Sequence, residues 1–409
     1  MAGQQIFVIV GAALAGASAA RALREEGFDG EIHLIGAEEH PPYIRPPLSK
    51  DYLAGTAERD SVFVQSASWY PDHEVQLHSG TRAVTLDLGA HLLDTDDGAQ
   101  LSYDRLLLTT GSRPRRLTVP GANLGGVHYL RTLDHSDLLH SVLADGGKRL
   151  VVVGSGWIGM EVAATARTLG NEVTILERGP VPLAAALGDE LGDMFASLHE
   201  RNGVVIRRSV TVDGLVGMDG RVTGVLLAGG ETVPADLVLV GIGAVPNVEL
   251  AQKAGLAVDN GILVSASLKT SDPHVFAAGD VANAEHPLIK ARLRSEHWAN
   301  ALNGGPAAAR AMLGQSVSFD AIPYFYTDQF DLGMEYSGFG ILADGAELVY
   351  RGNRDSREFI VFWQQAGRVV AGMNVNVWDV NDTVQALIRR DEPVDPARLA
   401  DESIPLDQV

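Results

Sequence analysis

Cysteine is absent from all 409 residues, and that gap closes several kinds of chemistry. Without a thiol the chain can form no disulfide, hold no cysteine-ligated iron–sulfur cluster or thiolate zinc, and use no cysteine nucleophile. Histidine does not take over as a metal ligand: the 12 histidines include no HxxxH or HExxH spacing, so no metal site is expected. Basic residues are also scarce, with 32 Lys and Arg against 52 Asp and Glu and a formal net charge of -20. Nucleic acid and anionic membrane both need a basic face, so neither is expected as a partner, and any acidic partner must find a local basic patch. Long apolar runs are missing too, since none reaches the ~18–20 residues that a spanning helix requires. The small, apolar stretch from Ile6 to Ala20 has the look of a secretory leader but lacks a cationic start, so the expected location is the cytoplasm.

What the chain has in quantity is glycine, 45 residues, gathered in turns and not in a low-complexity tract. The stretch Leu150-Val-Val-Val-Gly-Ser-Gly-Trp-Ile-Gly-Met-Glu161 joins an apolar strand to a helical pattern through a complete GxGxxG turn. Gly154 suits the tight turn, Gly156 the close approach of a pyrophosphate, and Gly159 the packing of helix on strand. Trp157 and Ile158 sit in the same turn and join it as candidate contacts of a dinucleotide. The following strand, Glu172-Val-Thr-Ile-Leu-Glu177, ends on a carboxylate placed to accept from a ribose 2'-OH. A second copy of the pattern opens the chain at Phe7-Val-Ile-Val-Gly-Ala-Ala-Leu-Ala-Gly16, with Gly11, Ala13 and Gly16 matching Gly154, Gly156 and Gly159. Ala13 puts a methyl group at the point of closest approach, and the ribose acid is displaced to Glu38, two residues past the strand.

Between and beyond these turns the chain alternates strand-like and helical pieces. Pro41-Pro-Tyr-Ile-Arg-Pro-Pro-Leu-Ser-Lys50 reads as a rigid, non-helical loop able to hold Arg45 and Lys50 over a ligand. Short strands between Val75 and Leu108 run into Thr110 and Gly111, as expected of a chain passing close to a cofactor. A helix around residues 187–200, strands near 204–225, and a buried strand leading to Gly241 and Gly243 complete the second nucleotide unit. Gly279 and Asp280 end another apolar strand, where a carboxylate can meet the hydroxyls of a cofactor chain. A helical stretch begins near Glu296, passes a Gly304-Gly-Pro306 break and continues to Met312; its N-terminus supplies positive potential. Aromatic strands from Ala321 and a short helix over residues 382–390 point to a third, α+β domain. The expected fold class is therefore α/β: two Rossmann-like dinucleotide-binding domains plus a C-terminal α+β domain.

The combination Arg-Pro-Pro-Leu-Ser-Lys50, Gly-Ser-Gly-Trp-Ile-Gly-Met-Glu161, the Thr-Ser-Asp-Pro stretch ending in Ala-Gly-Asp280, and Thr-Asp-Gln329 resembles a known family over nearly the whole chain. It is the FAD-dependent ferredoxin reductases of bacterial cytochrome P450 and aromatic-ring dioxygenase systems, of the putidaredoxin reductase type, in the glutathione-reductase-like superfamily. The resemblance implies an FAD domain in two segments, residues 1–114 and 244–320, an inserted NADH domain over 115–243, and a C-terminal interface domain over 321–409. It implies that Gly11 and Gly16 cradle the FAD pyrophosphate, that Arg45, Lys50, Ala83, Arg131 and Asp280 line the FAD, and that Trp298 lies beside its ring, with Ala83 acting through its backbone. Lys50 and Glu161 are the expected catalytic ion pair beside the flavin, and Trp157 stands where relatives carry an aromatic gate.

The implied reaction is hydride transfer from NADH to FAD, then single electrons to a [2Fe-2S] ferredoxin that feeds a cytochrome P450 or ring-hydroxylating oxygenase. With no cysteine, electrons cannot leave through a thiol pair. Glu177 favours NADH over NADPH, and Arg178 beside it works against that preference. Lys290, Arg292, Arg294 and Tyr326 are the candidates for docking the acidic partner. The alternatives are a rubredoxin reductase, an NADH oxidase, or a redox-regulated flavoprotein like the apoptosis-inducing factors.

Overall fold

The computed structural model describes residues 5–409. The first glycine turn belongs to a five-stranded parallel sheet in the order Val275–Ala277, Arg105–Leu108, Ile6–Val10, Glu31–Ile35, Val75–His78. Strands covered on both faces need continuous apolar sequence, and Val8, Ile9, Leu34, Leu106, Leu107 and Phe276 are accordingly buried. The edge strand Val275–Ala277 enters from far downstream, so this unit is assembled from two distant segments.

Helices Leu14–Glu25 and Trp298–Met312 pack together on this sheet. A Cβ at Gly305 would fall 2.2 Å from the Ala15 carbonyl oxygen, so glycine there is what lets the two backbones touch. The expected break at Gly304-Gly-Pro306 does not occur: one helix runs through it with Pro306 inside. The close contact and the burial of Ala307, Ala308 and Ala309 outweigh the one backbone bond that the proline removes.

The second glycine turn sits on another five-stranded parallel sheet, ordered Val205–Arg207, Glu172–Leu176, Arg149–Val153, Leu237–Val240, Val127–His128. Two three-stranded antiparallel sheets, one led by Ala83–Asp87 and one by Val212–Met218, hang from the two units. The chain passes between the units twice, at Ser112–Pro114 and Ala244–Pro246, and these crossings pair with each other as an antiparallel ribbon.

The remainder forms a five-stranded antiparallel sheet, Tyr324–Gln329, Leu332–Gly338, Arg368–Val375, Glu358–Gln365, Glu347–Asn353, backed by the helix Asn381–Arg390. Its Met334, Phe359, Val361 and Met373 share one apolar cluster with Leu150, Val152, Met160 and Phe195 of the second unit. The proline-rich loop before Lys50 is less irregular than its composition implies: Pro46–Ser49 forms a 3-10 turn that leads into the short helix Asp51–Ala54, because proline's fixed φ suits the first helical position. Among the described residues, no helix is long and apolar enough to cross a membrane.

Candidate active site

Two of the three glycines in each turn are demanded by the protein itself. Gly11 has φ +123° and Gly154 +97°, and a Cβ on either would lie 2.1 Å from the Thr109 oxygen or 2.5 Å from the Gly241 oxygen. Side chains at Gly16 and Gly159 would strike the carbonyls of Gly11 and Gly154, at 2.1 and 2.4 Å. The middle position is different. Ala13 and Gly156 are both extended, at φ -122° and -71°, and nothing lies within 4 Å of a Cβ built at Gly156. Ala13 therefore costs the backbone nothing, and glycine at 156 leaves room for something outside the chain. We expect Gly156→Ala to keep the thermal midpoint and weaken NADH binding about tenfold, while Gly154→Ala loses at least ~3 kcal/mol of stability; thermal unfolding and NADH titration of each variant check this. The 12-residue helices that follow the turns, Leu14–Glu25 and Trp157–Thr168, have no side-chain cap, so their first N–H groups are open to a phosphate.

Each turn has its acid close by. Glu177 accepts from the Ser155 hydroxyl, from the Ser155 N–H at 3.2 Å and from the Gly179 N–H, so it pins the second turn. Glu38 accepts from the Tyr43 hydroxyl and from Arg45 Nη2 at 3.1 Å. Arg45 Nη1 also donates to the Arg131 carbonyl, and Arg131 Nη2 donates to Asp280 Oδ2 at 2.9 Å, which also accepts from Ser112 Oγ at 2.8 Å. Burial, and then the neighbouring Arg45 charge, hold the Arg131 pKa below the usual arginine value. Arg131 Nε is buried with no partner. Two adjacent guanidiniums and an orphaned donor are the features an anionic group would relieve.

The other predicted residues frame this cluster. Gly279, at φ +74°, packs its turn against Ala15, and Gly111, at φ +65°, lies against Arg131, whose Nη2 would be 3.4 Å from a Cβ there. The Thr110 side chain turns instead to the Asn247 carbonyl at 2.7 Å, and Asn247 Nδ2 returns a bond to the Thr110 carbonyl at 2.8 Å. Ala83 opens a strand just past the point where the Gly80 and Thr81 N–H groups bond to Glu38 and Gly36. Gly243 and Ile158 are exposed beside the second turn.

Lys50 and Glu161 meet where all three units converge. Lys50 Nζ lies 2.7 Å from Glu161 Oε1, with side-chain exposures of 10% and 5%. Glu161 also accepts from Ser49 Oγ at 2.5 Å and from Thr327 Oγ1 at 2.7 Å. Lys50 Nζ is 5.5 Å from the Tyr326 ring centre, and Trp298, with its Nε1 buried and unpartnered, meets the same ring edge-on at 6.3 Å. Trp157 packs on Phe325 at 5.0 Å and on Phe195 at 5.6 Å. Phe325 in turn stacks on His297, whose pKa burial pushes down to about 4. Sequence reading assigned no role to Ser49, Tyr43, Ser112, Ser155, Asn247 or Thr327; some lie inside recognised motifs, but nothing local tells what a hydroxyl or amide there will bond to. Of the basic residues singled out for docking, Arg292 is paired with Glu285 at 2.9 Å and Arg294 with Glu296 at 2.5 Å, while Lys290 is exposed and has no ion pair among the described residues.

Residues 6–305 match the pyridine nucleotide-disulphide oxidoreductase family and residues 324–409 the reductase C-terminal family. The chain belongs to the pyridine nucleotide-disulphide oxidoreductases and is an oxidoreductase that uses FAD and NAD(H). Within the family it is 44% identical to the ferredoxin–NAD(+) reductase component of the biphenyl dioxygenase system of Paraburkholderia xenovorans, over 87% of this chain and 86% of that protein. It is 38% identical to putidaredoxin reductase CamA of Pseudomonas putida, over 98% and 96%. The crystal structure of the ferredoxin reductase for the CYP199A2 system from Rhodopseudomonas palustris superposes with a TM-score of 0.94 at 36% identity, covering 98% of each chain. The disulphide of the family name has no counterpart here, since the chain has no cysteine. The open glycine turns, the paired arginines and the orphaned Arg131 and Trp298 donors fit two dinucleotides.

Proposed function

We propose that the protein is an NADH-dependent ferredoxin reductase serving a cytochrome P450 or a ring-hydroxylating oxygenase through a [2Fe-2S] ferredoxin. Its supports are the names its relatives carry and one observation of the chain: the buried Lys50–Glu161 pair lies between the two glycine-turn units with no thiol to receive electrons. Bound FAD would supply the chemistry that couples a two-electron hydride donor to a one-electron iron–sulfur acceptor. Gly11, Ala13 and Gly16 would hold the FAD pyrophosphate with Arg45 and Arg131, Glu38 and Ala83 the adenosine end, and Thr110, Gly111, Gly279 and Asp280 the middle. Asp280 Oδ1 has no bond within the described protein, which leaves it for a ligand hydroxyl. Gly154, Gly156, Ile158, Gly159, Glu177 and Gly243 would hold NADH.

Lys50 would set a positive charge beside the bound flavin, Glu161 holds that charge in place at 2.7 Å, and Trp298 would cover the flavin from water. Trp157, packed between Phe195 and Phe325, would move aside to admit the nicotinamide. Residues 1–114 and 244–320 would form the FAD domain, 115–243 the NADH domain and 321–409 the interface domain, at work in the cytoplasm, where NADH is supplied. The test is electron flow: purified holoprotein should bleach with NADH and reduce cytochrome c rapidly only when a [2Fe-2S] ferredoxin is added. Equal cytochrome c reduction without the iron–sulfur protein, or NADH consumption that tracks oxygen alone, would rule the reading out.

A further inference from the structure

The Glu161 carboxylate is the end of a longer buried chain. Thr327 Oγ1 donates to Glu161 Oε1 at 2.7 Å. Gln329 Nε2 lies 3.1 Å from Thr327 Oγ1, and Gln329 Oε1 lies 2.8 Å from His199 Nε2. Thr327, Gln329 and His199 are each at most 1% exposed, so bulk solvent does not compete for these bonds.

The direction of every bond follows from what each group can do. A carboxylate only accepts, so the Thr327 hydroxyl must donate to Glu161 and has lone pairs left to accept with. Gln329 must therefore turn its NH2 toward Thr327 and its oxygen toward His199. That oxygen requires a hydrogen on His199 Nε2, which leaves Nδ1 bare, and Nδ1 is indeed buried without a partner. Burial pushes the His199 pKa down to about 4, which keeps the ring neutral. An amide in the middle makes this a poor proton wire, because carrying a proton through it would require an imidic acid. The chain is suited to holding a direction.

We propose that Gln329 and His199 are positioning residues that act through Thr327 to aim its hydroxyl at Glu161, fixing the carboxylate against Lys50 from the side of the C-terminal domain. The sequence carries Glu161 and His199 on the second parallel-sheet unit, Thr327 and Gln329 on the antiparallel one, and Lys50 on the first, so the relay joins all three at one oxygen. The role in turnover rests on the function proposed above; the relay itself does not.

The experiment has two arms on the FAD-loaded protein. In the first, 15N-histidine labelling and NMR, with His199→Gln to assign the signal, should show His199 as the neutral Nε2-H form with a slowly exchanging ring proton. Gln329→Leu should make that proton exchange at least about tenfold faster. A His199 found as the Nδ1-H form, or unmoved by Gln329→Leu, would overturn the relay whatever the enzyme's acceptor.

In the second arm, anaerobic flavin bleaching by NADH and the flavin midpoint potential are measured for Thr327→Val, Thr327→Ser and Gln329→Leu. Thr327→Val should slow bleaching about tenfold and shift the potential, the scale of one hydrogen bond to a charged acceptor. Thr327→Ser should restore both, and Thr327→Val/Gln329→Leu should be no slower than Thr327→Val alone, since Gln329 acts through Thr327. Additive losses, or an unchanged potential in Thr327→Val, would refute positioning. Loss of NADH bleaching in the parent protein would instead count against the proposed function.

Discussion

Lys50→Met is expected to slow NADH-driven flavin bleaching by about 100-fold, the scale of removing one charge-stabilising group from a site closed to water. It should also destabilise the fold by about 3–5 kcal/mol, because it strands one buried charge. The stranded group is Glu161, whose side chain is 5% exposed and which would keep only the neutral donors Ser49 and Thr327. Stability and activity separate in the double variant. Lys50→Met/Glu161→Met removes both charges, so the denaturant midpoint should recover most of the loss, while bleaching stays slow because the cation is still missing. Chemical unfolding and stopped-flow bleaching of the two variants make the comparison. If the double variant regained the parental bleaching rate, the pair would be architectural and its placement between the two nucleotide units incidental.

Glu177→Gln should change the NADPH:NADH preference by about 100-fold in favour of NADPH. A carboxylate about 4 Å from a phosphate repels it by about 4 kcal/mol per unit charge at an effective dielectric of 20, and solvent lowers that for a partly exposed group such as Glu177. Glutamine is the informative choice because Glu177 also accepts from Ser155 and Gly179. Its amide oxygen can keep part of that pinning, whereas Glu177→Ala should weaken both cofactors by loosening the turn. The exposed neighbour Arg178 then faces a 2'-phosphate with no competing carboxylate, while Arg207 stays tied to Glu231 by two bonds. Steady-state kcat/KM with each cofactor for both variants is the measurement, and an unchanged ratio in Glu177→Gln would remove Glu177 from cofactor choice.

The parts of this molecule that were readable in the sequence are those whose physics is local. A glycine forced by φ +123° or by a carbonyl 2.1 Å away leaves its mark within one turn, and an apolar strand before it completes the pattern. Gly11, Gly154 and their helices were therefore visible, as was the third, antiparallel unit from its aromatic strands. Lys50 and Asp280 stood out locally only as residues able to meet a ligand, and Glu161 and Arg131 became candidates through resemblance alone. Their contacts join residues 111 and 149 positions apart, and no spacing rule spans such distances. Thr-Asp-Gln329 was noticeable as a motif, yet its role depends on His199 lying 130 residues away. The Gly304-Gly-Pro306 misreading has the opposite cause: local propensity argued for a break, and packing against Ala15 overrode it.

The antiparallel ribbon of Ser112–Pro114 and Ala244–Pro246 bears on how such a chain can be rebuilt. Neighbouring strands lie about 5 Å apart, so the second parallel-sheet unit leaves the first sheet and returns to it at almost the same spot. It is a cassette on a two-stranded hinge, and a short turn could in principle bridge the gap left by cutting it out. Under the function proposed above, swapping that cassette between related reductases would exchange the electron donor's site while leaving the first parallel-sheet unit in one piece. Glu161 and His199 would travel with the cassette, so a graft must bring partners that suit Ser49, Lys50, Thr327 and Gln329.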